Sequence, residues 1–291
     1  MYSTAIIVVQ FAAILESLFI IVGNVFTIFV FWKYRNTLKR TSFLLINLAV
    51  ADLLVGFTEP IALGALNIPG HFGKRKLNST HDKNISGVFQ VTFTSASAFF
   101  LVLISLERAY ALIWLLRHRA ASTRGYTYSA TFTWVTAIFS GALTLLALYD
   151  ILEFAHWILA FGCVMVLCVV TICVSYLAIR KRLNCRGPPI DGAQNRQNEQ
   201  NAKLSRTLFI MITASLVFWI PGIVVNCTYH LCVKCVPSLL VHIMNFFHLG
   251  NSLVNPVIYC FRIPMFRETF KRMKLCKQSK KCTICYKPWK T

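Results

Sequence analysis

Seven long apolar runs, separated by polar or basic stretches, organise the chain. Each run is long enough to cross a hydrocarbon core of ~30 Å at about 1.5 Å per residue of helix. Because the runs do not alternate apolar with polar residues, they predict helices and not the strands of a membrane barrel. The predicted fold class is an all-α membrane protein, a seven-transmembrane helix bundle. The spans are expected at residues 6–32, 43–66, 87–112, 126–149, 156–179, 204–229 and 239–261.

The composition agrees with this pattern. Of the 291 residues, 56% are hydrophobic and 14% are charged, whereas soluble domains carry roughly 25% charged residues. The mean hydropathy is +0.60. These values exclude a soluble globular enzyme, a disordered chain and a secreted disulfide scaffold.

The charge distribution predicts the orientation. The net charge is +20, and 25 of the 30 basic residues lie on one side of the predicted bundle. The positive-inside rule then places the N-terminus outside and the C-terminus in the cytosol. The basic residues indicate attraction to anionic membrane lipid, and they do not indicate a nucleic-acid partner. Two sequons, at Asn78 and Asn84, fall in the outer loop after the second span, so we expect a glycoprotein.

Cysteines cluster at two places outside the spans. Cys227, Cys232 and Cys235 crowd the loop between spans six and seven, where a local disulfide is one interpretation. Three more lie in the basic C-terminal tail, which lacks a fourth ligand for zinc. Palmitoylation beside a polybasic segment is the favoured interpretation for these three. They are Cys276, Cys282 and Cys285.

Polar residues inside the spans need a reason, since an ionisable group there costs at least ~2.5 kcal/mol on insertion. Asp52 lies in the middle of span two, and Asn251 and Asn255 project from one face of span seven. The polar set forms either a hydrogen-bonded packing network or a site for water or a monovalent cation. Its members are Asn24, Asp52, Ser97, Asn251, Ser252 and Asn255.

Span three ends in an adjacent pair of opposite charges, Glu107 and Arg108. The carboxylate can hold the guanidinium in one rotamer and later release it; the alternative is a pair that merely snorkels to the interface. Spans six and seven each contain a proline, Pro221 and Pro256, which removes a backbone hydrogen bond and permits a bend.

Together these motifs resemble the class A, or rhodopsin-like, G-protein-coupled receptors. The matching positions are Gly23-Asn24, Leu48 to Asp52, Glu107-Arg108, Trp134, Tyr176, Phe218 to Pro221, Asn255 to Tyr259, and Phe266. The resemblance implies a short amphipathic eighth helix near residues 263–274. It divides the chain into a receptor domain, residues 1–262, and a cytosolic helix with a basic tail, residues 263–291.

The resemblance implies a plasma-membrane receptor and not an enzyme. A ligand would bind between the helices from outside, span six would swing outward, and a heterotrimeric G protein would exchange nucleotide at the cytosolic face. No cofactor is implied beyond an allosteric sodium ion at Asp52. The implied switch residues are Glu107, Arg108, Tyr176, Trp219, Pro221, Asn255, Pro256 and Tyr259.

Several positions depart from the family pattern. Ser215 replaces the usual phenylalanine four residues before Trp219, and Asn201 stands where many members have an acid to pair with Arg108. The family's usual disulfide at the outer end of span three cannot form, since no cysteine lies there. The absent cysteines, the short loop after span four and the missing proline of span five resemble the melanocortin, lysophospholipid and cannabinoid receptors. We expect appreciable ligand-independent signalling.

The ligand is expected to be a peptide, a lipid or another small molecule. Gln90 stands where amine receptors have an aspartate, which disfavours a monoamine, and Leu249 stands where opsins have lysine, which disfavours retinal. The tail has few phosphate acceptors, so we expect weak arrestin recruitment. Candidate pocket residues are Glu59, Gln90, Thr94, Trp219, Asn226, Asn245 and His248.

Two other classes fit less well. A transporter or channel would use Asp52 as an ion site, but no internal repeat with paired broken helices is visible in the sequence. An intramembrane hydrolase would need several metal ligands within the bilayer, and only His248 and Asp52 are placed there.

Overall fold

The protein is described by a computed structural model that covers residues 4–35, 39–67, 79–114, 118, 122–184, 192–232 and 235–278. These residues are almost entirely helical, and they include no strand. The helices of the described residues are α1 (Thr4–Lys33), α2 (Lys39–Asn67), α3 (Ser79–Ile113), α4 (Thr123–Leu148), α5 (Phe154–Asn184), α6 (Gly192–Leu231), α7 (Ser238–Arg262) and α8 (Pro264–Gln278).

Two helices begin well before the apolar runs that predicted them. Helix α3 begins at Ser79 and not near residue 87, and α6 begins at Gly192 and not near residue 204. The expectation that Asn84 lies in a loop is therefore wrong, because this residue falls within α3. The hydrophobic pattern marks only the part of a helix that lipid covers, so it does not detect a helix that continues into water. Helix α6 has 40 residues, or about 60 Å, which is twice the hydrocarbon thickness.

The apolar composition of the described helices fits a membrane protein. Four helices contain a stretch that is long and apolar enough to cross a bilayer, namely α1, α3, α4 and α5. Shorter apolar stretches lie in α2 (Ser42–Thr58) and α6 (Phe209–Val225). Helix α7 does not reach the same hydropathy because polar side chains interrupt its inner face.

The helices pack as a closed bundle with α3 near its centre. Helix α3 contacts α2, α4, α5 and α6, and α7 closes the ring by packing against α1, α2 and α6. Helix α8 turns away after Arg262 and contacts the ends of α1 and α7. Phe266 of α8 is fully buried there against Phe26 and Phe31 of α1.

Side-chain polarity is distributed as a bilayer requires. Large apolar side chains point outward, such as Phe132 on α4, 73% exposed, and Phe261 on α7, 75% exposed. Polar side chains point inward, and Asn24 and Asp52 are completely buried. Because hydrocarbon cannot solvate amides and carboxylates, these polar groups must find partners inside the bundle.

One glycine allows α1 and α7 to approach closely at the level of the buried polar groups. A Cβ atom at Gly23 would lie 3.0 Å from Cβ of Pro256. Hydrogen in place of a side chain therefore lets the proline of α7 pack against α1. The next residue, Asn24, is brought within hydrogen-bonding distance of the α7 backbone.

Candidate functional site

Asp52 lies at the centre of a buried hydrogen-bond network that joins three helices. Its Oδ1 accepts hydrogen bonds from Ser97 Oγ of α3 at 2.7 Å and from Ser252 Oγ of α7 at 2.9 Å. Its Oδ2 accepts a hydrogen bond from Asn255 Nδ2 of α7 at 2.7 Å. All four residues are at most 3% exposed. The carboxylate therefore ties α2 to both α3 and α7.

The remaining two polar residues of the predicted set, Asn24 and Asn251, lie near this network but are not among the hydrogen-bond donors to Asp52. Asn24 Nδ2 donates to the carbonyl oxygens of Ile20, at 3.0 Å, and Ser252, at 3.2 Å. Asn251 is buried one turn before Asn255, and its Oδ1 has no hydrogen-bond partner among the described residues. Of the six predicted residues, Asp52 and its three donors thus form one connected group. Asn24 joins α1 to α7, and Asn251 is a buried amide beside them.

A second polar contact braces α2 against α4. Trp134 Nε1 donates to Asn47 Oδ1 at 3.0 Å. The indole ring of Trp134 also meets Phe100 of α3 edge to face, with ring centroids 5.7 Å apart. These contacts fix the central helices α2, α3 and α4 relative to one another.

At the end of α3, Arg108 is held by its neighbour in the sequence. Its Nε donates to Glu107 Oε2, and both side chains are less than 10% exposed. The other carboxylate oxygen, Oε1, lies 3.1 Å from His118 Nε2 and accepts a hydrogen bond from Tyr126 OH at 3.4 Å. Tyr126 OH is also 3.0 Å from His118 Nε2. We call the side of the bundle that contains this cluster the Arg108 end.

Sequence reasoning missed His118 and Tyr126 as partners of Glu107. His118 lies in the polar stretch after span three, and Tyr126 is the first residue of predicted span four, so neither position requires a partner. A histidine 11 residues and a tyrosine 19 residues after an acidic residue are a weak signal, since only the tertiary structure decides whether they reach it.

Around the proline of α6, the side chains are buried and packed. Trp219 is 1% exposed and belongs to the main hydrophobic cluster, and its Nε1 has no hydrogen-bond partner among the described residues. Phe218 packs on Gly250 of α7, where an added Cβ would lie only 2.8 Å from Phe218 Cε1. Pro221 lies within the helix, two residues after Trp219.

The two candidate switch tyrosines occupy different surroundings. Tyr259 of α7 lies about one turn after Pro256 and is 1% exposed. Its ring contacts those of Phe31 and Phe266, at centroid distances of 5.3 and 5.6 Å. Tyr176 of α5 stacks instead on Phe209 of α6. The ring contacts of Tyr176 are thus with α6, and those of Tyr259 are with α1 and α8.

Comparison with known proteins settles the family. The family model for the 7 transmembrane receptor (rhodopsin family) matches residues 23–259, which begin in the last part of α1 and extend nearly to the end of α7. The chain belongs to the rhodopsin family of seven-transmembrane receptors. It is therefore a multi-pass membrane receptor of the G-protein-coupled class, and it is not an enzyme. The predicted seven-helix fold is confirmed.

Individual relatives are distant but cover most of the receptor. The chain is 28% identical to human C-C chemokine receptor type 1, in an alignment that covers 87% of this chain and 75% of the relative. It is 24% identical to the human adenosine receptor A2a, over 87% of this chain and 68% of the relative. The canine adenosine receptor A2a gives the same identity and coverage.

The candidate pocket residues of the receptor lie on facing helices. Gln90 and Thr94 are on α3, Trp219 is on α6, and Asn245 and His248 are on α7. His248 faces α6, since its Nδ1 lies 3.8 Å from where Gly222 would carry a Cβ. The backbones of the other two candidates lie in α2 and α6, but their side chains fall outside the described residues. These are Glu59 and Asn226.

The candidate modification residues of the receptor are only partly described. Asn78, Cys282 and Cys285 lie outside the described residues, and Cys276 falls within α8, although its side chain is not described. A disulfide joins Cys232 to Cys235 between α6 and α7, and Cys227 remains a free thiol. The local disulfide considered from the sequence is thus present.

The Asp52 network fits a hard monovalent cation. Its ligand atoms would be oxygens from Asp52, Ser97 and Ser252, and the buried Asn251 Oδ1 lies one helical turn from Asn255. Oxygen ligands suit hard cations. Among the described residues, no group of three or more His, Cys, Asp or Glu side chains is placed to hold a metal ion.

Proposed function

We propose that this receptor binds an extracellular ligand between its helices and promotes GDP release from a heterotrimeric G protein at the Arg108 end. In this proposal the N-terminus is extracellular, the C-terminus is cytosolic, and the receptor resides in the plasma membrane. The domain division remains a receptor bundle, residues 1–262, followed by a helix and basic tail, residues 263–291. The basic residues concentrated beyond the Arg108 end support this orientation.

The observation that carries the proposal is the buried pair of Arg108 and Glu107. The Arg108 side chain is only 9% exposed, and its guanidinium is bound to the neighbouring carboxylate. In this state it is not accessible to a protein partner. Because the two residues are adjacent on one helix, a rotamer change can free Arg108 without unpacking α3. The side chain could then reach into a cleft opened at the cytosolic face.

Activation would be a shift between two packings of the same bundle. The ligand can supply only the difference between its affinities for the two packings. The α6 helix would pivot near Pro221, where a backbone hydrogen bond is missing, and Trp219 lies beside this point. Tyr176 and Tyr259 would turn inward toward the space that Arg108 enters. Asn255 and Pro256 would allow α7 to adjust.

The Asp52 network would favour the resting packing. Asp52, Ser97 and Ser252 would hold a sodium ion, with Asn251 as a further oxygen donor. A sodium ion held there would supply positive charge opposite the buried carboxylate. Since the network joins α2, α3 and α7, its rearrangement would accompany any movement of α7.

The ligand would enter from the side opposite Arg108. Its pocket would be lined by Gln90, Thr94, Trp219, Asn245 and His248, with Glu59 and Asn226 as further candidates. Similarity to receptors named for a chemokine and for adenosine supports screening both peptides and small molecules. Glu59 would meet a cationic group of the ligand, and a Glu59→Gln variant with unchanged ligand potency would contradict that role.

The remaining proposals concern modification and desensitisation. We infer glycosylation at Asn78 or Asn84 and palmitoylation at Cys276, Cys282 or Cys285. Weak arrestin recruitment would follow from the few phosphate acceptors in the tail. Strong agonist-driven recruitment that is lost on truncation at Lys274 would contradict this last inference.

Second-messenger output in transfected cells tests the proposed function. Cells that express the receptor should give ligand-independent output above vector-only cells, and an Arg108→Ala variant expressed at equal surface level should return to the vector level. An N-terminal epitope tag should be stained in intact cells and a C-terminal tag only after permeabilisation. Output equal to vector in every pathway, or both tags on one side, would contradict the proposal.

A further inference from the structure

A small polar residue occupies the place on α6 where the family usually has a phenylalanine. Ser215 lies one turn from Trp219, is 2% exposed, and its hydroxyl has no hydrogen-bond partner among the described residues. A serine side chain has too little apolar surface to hold α6 against its neighbours. If α6 is restrained in the resting packing, another contact of this helix must contribute.

The structure provides such a contact closer to the Arg108 end. Tyr176 of α5 and Phe209 of α6 are stacked face to face, with ring centroids 3.8 Å apart and an interplanar angle of 18°. Phe209 comes six residues before Ser215, which places it about 9 Å along α6. Among the ring pairs of the described residues, this is the one that joins α5 to α6.

Aliphatic side chains of α5 and α6 also lie in the main hydrophobic cluster. Ile172 of α5 and Met211 of α6 are buried there, and a methionine side chain adapts readily to its surroundings. A stacked ring pair has a defined geometry and contributes beyond the area it buries. It therefore sets the relative position of the two helices where aliphatic contacts alone would let them slide.

Tyr176 cannot keep this stack and also turn toward Arg108. The stack holds the ring against α6, whereas the inward movement in the proposed function takes it toward the end of α3. Any outward movement of α6 also withdraws Phe209 from the ring of Tyr176. Separation of the two rings is thus a required step and not a side effect.

We propose that Phe209 is a positioning residue that restrains α5 and α6 in the resting packing by stacking on Tyr176. Phe209 supplies an aromatic contact that a serine at residue 215 cannot supply. Phe209 acts through Tyr176 and touches neither ligand nor Arg108 in this proposal. The inference rests on the proposed function, but the stack itself can be tested without a G protein.

The first experiment measures GDP release in the absence of ligand. Purified receptor in nanodiscs with a responsive Gα subunit should show basal release roughly two- to tenfold faster with Phe209→Ala than with the wild type, the range expected for one aromatic pair. Phe209→Tyr keeps a stacking ring and should retain the wild-type rate. The matched control is Phe132→Ala, which removes the same ring from the lipid-facing side of α4 and should leave the rate unchanged.

The second experiment measures the distance between α5 and α6 without any G protein. Spin labels attached through unnatural amino acids at the exposed Arg180 and Arg206 report this distance by double electron–electron resonance. Phe209→Ala should broaden the distribution toward longer distances, while Phe209→Tyr and Phe132→Ala should match the wild type. Phe209→Leu fills most of the volume without a ring, so it should also broaden the distribution if stacking, and not bulk, restrains the helices.

The two experiments test the restraint between α5 and α6 separately from its link to G-protein signalling. An unchanged distance distribution in Phe209→Ala would overturn the restraint. A longer distance with a wild-type GDP-release rate, in a receptor that does accelerate release, would overturn its link to signalling. If the wild type accelerates release from no Gα subunit, the proposed function fails, and the distance measurement still decides whether the stack restrains α5 and α6.

Discussion

Two buried carboxylates, Asp52 and Glu107, serve different structural purposes. Asp52 accepts hydrogen bonds from Ser97 on α3 and from two residues of α7, so its partners lie far away in the sequence. Glu107 binds the next residue, Arg108, and is braced by His118 just after its own helix. The first carboxylate connects α2 to α3 and α7, and the second holds the side chain next to it while also meeting Tyr126 of α4.

This difference predicts how each site responds to substitution. Removing the Asp52 carboxylate leaves three buried hydrogen-bond donors without an acceptor, which should destabilise the receptor as a whole. Removing the charge of Glu107 leaves the packing of α3 intact and should free Arg108. Substitution of Asp52 should therefore change mainly the unfolding midpoint, and substitution of Glu107 should change mainly the rate of GDP release.

The largest expected effect is that of Asp52→Ala on stability. Leaving three buried donors without an acceptor costs on the order of 3–5 kcal/mol, so the midpoint of thermal unfolding in nanodiscs should fall by about 10 °C. Ser97→Ala removes a single 2.7 Å hydrogen bond and should cost about 1 kcal/mol. Equal midpoints for Asp52→Ala and the wild type would show that the network does not brace the bundle.

Glu107→Gln should raise activity with little loss of stability. The amide keeps the shape of the side chain but loses the charge that holds Arg108, so basal GDP release should increase roughly three- to tenfold. The unfolding midpoint should stay within about 3 °C of the wild type. A fall in midpoint comparable to that of Asp52→Ala, without faster release, would erase the distinction between the two carboxylates.

Sodium should stabilise the folded receptor by binding at the Asp52 network and not at the Arg108 end. Replacing sodium chloride with potassium chloride at equal ionic strength should lower the unfolding midpoint by about 3 °C, because an ion that binds the folded state stabilises it. The shift should be absent in Asp52→Asn and retained in Glu107→Gln. A sodium effect that survives Asp52→Asn would place the ion elsewhere.

The smallest expected effect is that of Tyr126→Phe. Its hydroxyl donates to Glu107 over 3.4 Å and contacts His118 at 3.0 Å, so it supports the pair through the carboxylate. Basal GDP release should rise by about twofold or less. An increase larger than that of Glu107→Gln would mean that Tyr126, and not the carboxylate, is the main restraint.

The sequence predicted the inside of the bundle better than its ends. Asp52, Ser97 and Asn255 are polar residues within apolar runs, and the cost of exposing them to lipid makes their inward orientation predictable. The family-level fold followed from the runs themselves, although α3 and α6 extend beyond them. The rotation of each helix about its axis decides which donor reaches the Asp52 carboxylate. The spacing of residues in the sequence therefore could not predict that Asn24 bonds to backbone carbonyl groups instead.

The contacts of His118 and Phe209 were beyond sequence reasoning for a different reason. His118 is a polar residue outside a span, and Phe209 is one of 23 phenylalanines in a largely apolar chain. Nothing in their local pattern distinguishes them from neighbours. Each acquires its partner only when the tertiary structure brings residues that are distant in the sequence together.

GDP release measured with purified receptor in nanodiscs tests the central claim most directly. That claim is that the bundle has two packings and that only one of them makes Arg108 available to a G protein. We predict that the wild type accelerates GDP release from at least one Gα subunit and that Arg108→Ala abolishes the acceleration although the variant still unfolds in a cooperative transition. No acceleration with any Gα subunit, or acceleration that Arg108→Ala leaves unchanged, would contradict the account.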